Sequence, residues 1–142
     1  MPTRKASAEW KGGLKDGQGN LRLGSGAYEG PYSFRSRFEE GTGTNPEELI
    51  GAAHAACYAM ALSAGLEKAG HPPKRVSATS RIEFDTGGDA PTIRSSTLDV
   101  EAEVPGIDEE AFQEQAEGAK KGCPVSGALG GVDIRLNAKL VG

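Results

Sequence analysis

The sequence predicts an α+β fold: antiparallel sheets packed on a few helices, one of them long, central and buried. Three observations point there. A stretch from Leu49 to Leu66 carries no charged side chain and follows a strong helix start. Several short segments alternate apolar and polar residues at the two-residue period of half-buried strands. Glycine-rich turns separate the segments near the N-terminus, where no helical periodicity appears.

The first forty residues read as short strands. Gly12 and Gly13, Gly17 and Gly19, and Gly24 and Gly26 punctuate polar segments such as Asn20–Leu23. No Gly-Lys-Ser/Thr follows these glycines, so they are turns and not a phosphate loop. From Tyr32 to Phe38 the alternation is strict: Tyr32, Phe34, Ser36 and Phe38 share one face, Ser33, Arg35 and Arg37 the other. This segment is expected to be a strand, with Arg37 on its solvated side.

Asn45 suits a helix N-cap, Pro46 the first helical position, and Glu48 the capping-box spacing. The helix is expected to run to about Ala69, where Gly70 and the Pro72–Pro73 pair stop it, a length of roughly 36 Å. A helix apolar all round is buried all round. Strands follow over Arg75–Phe84 and Ile93–Val104. Asp108 caps a helix through Lys121, which Gly122 ends. Cys123 caps a small helix over Pro124–Leu129, and a last strand turns Val132, Ile134, Leu136, Ala138 and Leu140 inward.

Composition sets limits on function. The chain has 142 residues, enough for one domain spanning 1–142. Only 37% of its residues are hydrophobic and 21 are glycine. Globular domains carry about 45–50% apolar residues. A core this thin points to a shared one, so a homodimer is expected, with the small residues Gly51, Ala52, Ala53, Ala55 and Ala56 allowing close helix approach. The net charge is −4 and the basic residues are scattered, which argues against nucleic acid. The longest apolar run is rich in Ala and Gly rather than a membrane span, and no apolar stretch follows the basic residues near Met1. A cytoplasmic protein without a membrane partner is expected.

The chemistry centres on two cysteines, Cys57 and Cys123. A lasting structural disulfide is disfavoured in a reducing compartment, and His54 and His71 are the only histidines available to complete a metal set. A thiol becomes a nucleophile beside a cation or a helix N-terminus. By that test Cys123 has the better local setting, since it sits at an expected helix start. Cys57 lies mid-helix among apolar residues and needs a cation from elsewhere; Arg37 is a candidate. His54 precedes Cys57 by three residues, but no third orienting residue supports a Cys–His hydrolase. His54 is expected to be packed or hydrogen-bonded at the helix surface.

Arg37 and Phe38, then the run Gly43–Cys57, closely resemble the OsmC family, related to the organic hydroperoxide resistance (Ohr) proteins. Gly122–Ser126 resembles its second cysteine motif, and the likeness extends over essentially the whole chain. His54–Cys57 and Cys123–Ser126 are similar to the OsmC branch rather than Ohr. The resemblance implies an intertwined dimer with its active sites at the subunit interface and a thiol peroxidase reducing organic hydroperoxides and hydrogen peroxide. Cys57 would be peroxidatic and Cys123 resolving. Arg37 would stabilise the thiolate and the departing oxygen, and Glu47 would hold Arg37. No metal or organic cofactor is implied. The partners would be the hydroperoxide and a dithiol reductant, lipoyl-type or thioredoxin-like. A redox sensor or binding protein without turnover would use the same two thiols.

Glu47 and Cys57 are ten residues apart on the expected helix, about 15 Å along its axis. If Glu47 organises the site around Cys57, either the helix breaks between them or Glu47 comes from the other subunit.

Overall fold

The computed structural model describes residues 1–142. The chain forms two compact units, Met1–Leu49 and Ile50–Gly142. In the first, β1 (Ala6–Lys11), β2 (Gln18–Leu23) and β3 (Glu29–Tyr32) form an antiparallel meander. Gly19 on the middle strand pairs with Trp10 on one side and Tyr32 on the other, whose ring centroids are 5.4 Å apart. A Cβ at Gly19 would lie 2.5 Å from Tyr32 Cε1 and 2.7 Å from Trp10 Cε3, so the two rings close over the missing side chain.

The strand expected over Tyr32–Phe38 is not formed. Tyr32 ends β3, and Phe34–Phe38 is a short helix, α1. Ser33 decides this. Its hydroxyl accepts the Ser36 N–H at 3.1 Å, while the Ser36 hydroxyl accepts the Ser33 N–H at 2.8 Å, a reciprocal cap that outweighs the alternation. Ser36 Oγ also donates to Thr44 O at 2.7 Å, tying α1 to the segment that starts the next helix.

That helix, α2, is unbroken from Pro46 to Lys68. Asn45 Oδ1 accepts the Glu48 N–H at 2.7 Å, as the capping pattern predicts. By length and composition α2 is apolar enough to cross a membrane, with a mean hydropathy of 1.5 over its best window. Within Ile50–Gly142 one side of it joins the hydrophobic core. Tyr58, Leu62 and Leu66 pack with Leu98, Val100 and Ala102 of β5 (Thr92–Glu103), with Val104 just after it, and with Phe112 and Ala119 of α3 (Glu109–Gly122). Each large aliphatic side chain buried there contributes about 1.5–3 kcal/mol. The expectation that α2 is buried on every face is not met in the single chain: Ala52, Ala53, Ala56 and Met60 are exposed, Met60 by 75%.

The second sheet has the order β4–β5–β6, with β4 over Arg75–Asp85 and β6 over Asp133–Val141. β4 and β5 pair antiparallel as expected, with a register shift where Glu83–Phe84 oppose Ser95 and Ile93. β6 departs from the antiparallel expectation and pairs parallel to β5. The reason lies in the connection: α3 and α4 (Pro124–Ala128) carry the chain back before β6 begins, and such a crossover returns a strand in its original direction. Asp108 caps α3 as read from sequence, its Oδ1 accepting the Ala111 N–H at 2.7 Å.

Candidate active site

Cys57 and Cys123 meet in the second unit, although 66 residues separate them. α2 presents Cys57 three turns beyond its start, half-buried. The junction of α3 and α4 presents Cys123, with the sulfur almost wholly enclosed. Both thiols are free, with 2.9 Å between the sulfurs and one hydrogen bond shared between them. Cys123 has extended backbone, φ −67° and ψ 122°, as the residue before Pro124 must to close α3 and open α4.

The electrostatics treat the two sulfurs differently. Burial raises the Cys57 thiol above its ordinary value, and the bond to Cys123 adds to the rise, against a smaller opposing effect of the Val125 N–H. Burial also acts to raise Cys123, but its contact with Cys57 and the nearby polar groups of Ser126 and Val125 together bring it below its ordinary value. Within the chain the two thiols are thus shifted in opposite directions, Cys57 above its ordinary value and Cys123 below it. That agrees with the local preference for Cys123 read from sequence, and it leaves Cys57 in want of a cation.

His54 is not at the helix surface. Its side chain is fully buried and spans two hydroxyls, Nδ1 to Ser96 Oγ at 2.6 Å and Nε2 to Ser126 Oγ at 2.8 Å. Ser80 Oγ lies 2.7 Å from Ser96 Oγ. Ser126 stands within the second cysteine motif, whereas Ser96 and Ser80 stand in no motif, and neither carries a role that is legible from sequence. One signal is present: Ser95, Ser96 and Thr97 are three successive hydroxyl residues ahead of the alternating Leu98–Glu103 stretch, and all three are buried.

Arg37 and Glu47 meet in the first unit. Arg37 Nε and Nη2 donate to the two carboxylate oxygens of Glu47 at 3.1 Å each, a bidentate pair with Glu47 buried and Arg37 partly open. Trp10, Leu14, Tyr32, Ser33, Phe34 and Phe38 line a cavity of about 240 Å³ with Arg37. No group of three or more His, Cys, Asp and Glu side chains is placed to share a metal ion.

Residues 39–137 match the family described as OsmC-like protein. The chain is 45% identical over 127 residues to Peroxiredoxin OsmC of Escherichia coli (strain K12), covering 89% of each chain. The chain belongs to the OsmC family. Within the wider OsmC and Ohr group it is 34% identical over 99 residues to an organic hydroperoxide resistance protein of Xanthomonas axonopodis pv. citri, covering 68% of this chain and 67% of that one. The OsmC fold itself is seen in a crystal structure of an organic hydroperoxide resistance protein OsmC from Legionella pneumophila, with a TM-score of 0.73 at 24% identity over 99% of this chain and 100% of that one.

Proposed function

We propose that this protein is a cysteine-based peroxidase that reduces hydroperoxides through Cys57 and Cys123. The observation that carries the reading is the pair of free thiols 2.9 Å apart on a chain 45% identical to a named peroxiredoxin. The Cys57 thiolate attacks the O–O bond of ROOH, which leaves ROH and a Cys57 sulfenic acid. Cys123 displaces the hydroxyl as water and forms the disulfide, and an external dithiol returns both thiols by exchange. Organic hydroperoxides and hydrogen peroxide are the substrate class, and a lipoyl-type or thioredoxin-like dithiol is the reductant.

Cys57 is the attacking residue in this reading only if a cation overcomes the burial that protonates it. Arg37, held in a fork by Glu47, has the right charge and rigidity. Because α2 is unbroken and Glu47 precedes Cys57 by ten residues on it, the reading takes Arg37 and Glu47 from a second copy of the chain. The exposed small residues Ala52, Ala53 and Ala56 beside Met60 support an intertwined dimer closing over that face. The family match crosses the boundary between the two compact units, in keeping with one domain over 1–142.

The test is a mass and disulfide map of reduced protein after one equivalent of cumene hydroperoxide, followed by steady-state assays with dihydrolipoamide. The expected result is loss of two hydrogens, a Cys57–Cys123 bridge within one chain, and sustained peroxide consumption. Bridge formation without turnover would replace the enzyme by a redox sensor. Unchanged thiols would end both.

A further inference from the structure

Cys57 and Cys123 are carried by different elements, α2 and the junction of α3 with α4, so the distance between their sulfurs depends on how those elements are tied together. Two buried hydrogen bonds make the tie, and neither touches a sulfur. Tyr58 Oη donates to Ala116 O of α3 at 2.9 Å. His54 Nε2 lies 2.8 Å from Ser126 Oγ of α4. Tyr58, His54 and Ala116 have no exposed surface, and Ser126 is 6% exposed. Along α2 the two anchors stand on either side of Cys57, His54 about 4.5 Å before it and Tyr58 about 1.5 Å after it. Their partners stand on either side of Cys123, Ala116 before it in α3 and Ser126 after it in α4.

The backbone carries both anchors to Cys123. Its N–H donates to Ala119 O at 3.0 Å, closing the last turn of α3, and its carbonyl accepts the Gly127 N–H at 3.1 Å, opening α4. Pro124 between them has a fixed φ, which stiffens the junction. The carbonyls inside a helix already accept from their own helix, so α3 does not need the phenol at Ala116. A phenylalanine would fill the same space in the core. What the hydroxyl adds is a fixed distance between α2 and α3. The His54 ring is held in turn, since its Nδ1 lies 2.6 Å from Ser96 Oγ of β5.

We propose that Tyr58 and His54 are positioning residues for disulfide formation, bracketing the sulfur pair so that Cys123 stays within bonding reach of Cys57. The bracket's place in turnover rests on the peroxidase reading above. The sulfurs are 2.9 Å apart and a disulfide brings them to about 2.05 Å, so elements held this close need only a small movement. In the resolving step the Cys123 sulfur forms the S–S bond to Cys57 and the Cys57 S–O bond breaks. The departing hydroxide takes the Cys123 proton and leaves as water, and no further reductant enters. Fixed geometry raises the effective concentration of one thiol at the other. It also shortens the life of the Cys57 sulfenic acid, which a second peroxide molecule would carry to sulfinic acid.

Tyr58→Phe removes one oxygen and keeps the ring, and Ser126→Ala removes the other anchor. The full chain is equilibrated with graded ratios of reduced and oxidised dithiothreitol, and the Cys57–Cys123 bridge is counted by mass. As the two protein thiols are oxidised to the disulfide, oxidised dithiothreitol takes up their two electrons and two protons. Each variant is expected to disfavour the bridge about fivefold to tenfold, the weight of one hydrogen bond, and a tenfold change raises the potential by about 30 mV. The double variant should lose about thirtyfold or more. Ser126→Thr keeps the hydroxyl and should stay within about threefold of wild type. Val104→Ala loosens the same core without removing a hydrogen bond and should move the equilibrium by less than about twofold. With excess cumene hydroperoxide, the two anchor variants should send more Cys57 to sulfinic acid. Tyr58→Phe alone remains informative if Ser126→Ala folds poorly. A double variant within about twofold of wild type, or an equal shift from Val104→Ala and Tyr58→Phe, would overturn the bracket and leave the peroxidase reading intact. Wild type that bridges in dithiothreitol but forms neither sulfenic acid nor disulfide with peroxide would overturn the peroxidase reading, and with it the bracket's place in turnover. No bridge under either oxidant would overturn both.

Discussion

His54 has no surface in contact with water, and burial holds its pKa below the ordinary imidazole value. In the unfolded chain the same imidazole takes up a proton near pH 6.5. Below that pH the unfolded state therefore binds more protons than the folded one, and stability falls as the pH drops toward the lower folded value. Above pH 6.5 both states are neutral and the contribution is constant. Denaturant titrations of the reduced protein from pH 8 to pH 5 are expected to show this loss. A His54→Gln variant, less stable at pH 8, should show a flatter curve over the same range. Parallel curves for the two proteins would mean that His54 is not the titrating group. Arg37 raises a different matter at this scale. Its two bonds to Glu47 need a planar fork, which lysine lacks, so the charge of this residue type is not interchangeable there.

Among the elements, α2 has the most placed upon it, and its start is fixed by one residue. Asn45 accepts the Glu48 N–H through Oδ1 and donates through Nδ2 to Ser36 O at 3.1 Å, so it caps α2 and fastens α1 at once. Asn45→Ala is expected to cost about 1–2 kcal/mol, toward the upper end because both bonds are lost. In thermal melts that corresponds to a fall of about 2–8 °C for a chain of this size. Asn45→Asp keeps the acceptor and should recover most of the loss. A melting temperature unchanged in Asn45→Ala would show that the cap adds nothing beyond Pro46. The start of α1 carries a related lesson. Ser33 and Ser36 form a complete capping box, whereas at Asn45 the side chain caps the Glu48 N–H alone. Over Tyr32–Phe38 the box was hidden beneath a run of aromatic residues alternating at the strand period. In a segment of seven residues, two reciprocal hydrogen bonds outweigh a preference of side chains for opposite faces.

For the molecule as a whole, a helix without charge from Leu49 to Leu66 is exposed along Ala52, Ala53, Ala56 and Met60. On the proposed reading a second copy covers this face and supplies Arg37 to Cys57. Ala56→Glu places a charge in the middle of it, and burying an unpaired carboxylate there would cost several kcal/mol. The variant is expected to sediment as a monomer at micromolar concentration and to lose peroxide reduction by at least about a hundredfold while keeping both free thiols. A monomer with full activity would remove the second copy from the site. A dimer with full activity would place the interface elsewhere.

Much of this protein was legible in sequence because local signals are strong wherever one residue decides a conformation. Asn45 and Pro46 start α2, Gly70 and the prolines end it, Asp108 starts α3, and Pro124 forces Cys123 into extended backbone. Alternation placed β4, β5 and β6, and two motifs singled out Cys57 and Cys123. Tertiary structure decided what depends on distance across the chain. It set the parallel pairing of β6, the 2.9 Å between two sulfurs 66 residues apart, and the path from Ser80 through His54 to Ser126. It also shifted the two thiols in opposite directions, Cys57 up and Cys123 down. A helix start at Cys123 is a local fact, but the burial that raises Cys57 depends on how distant segments pack around it. Capping and turn chemistry act over a few residues and are written in order along the chain, whereas burial and hydrogen-bond polarity exist only once distant segments exclude water together.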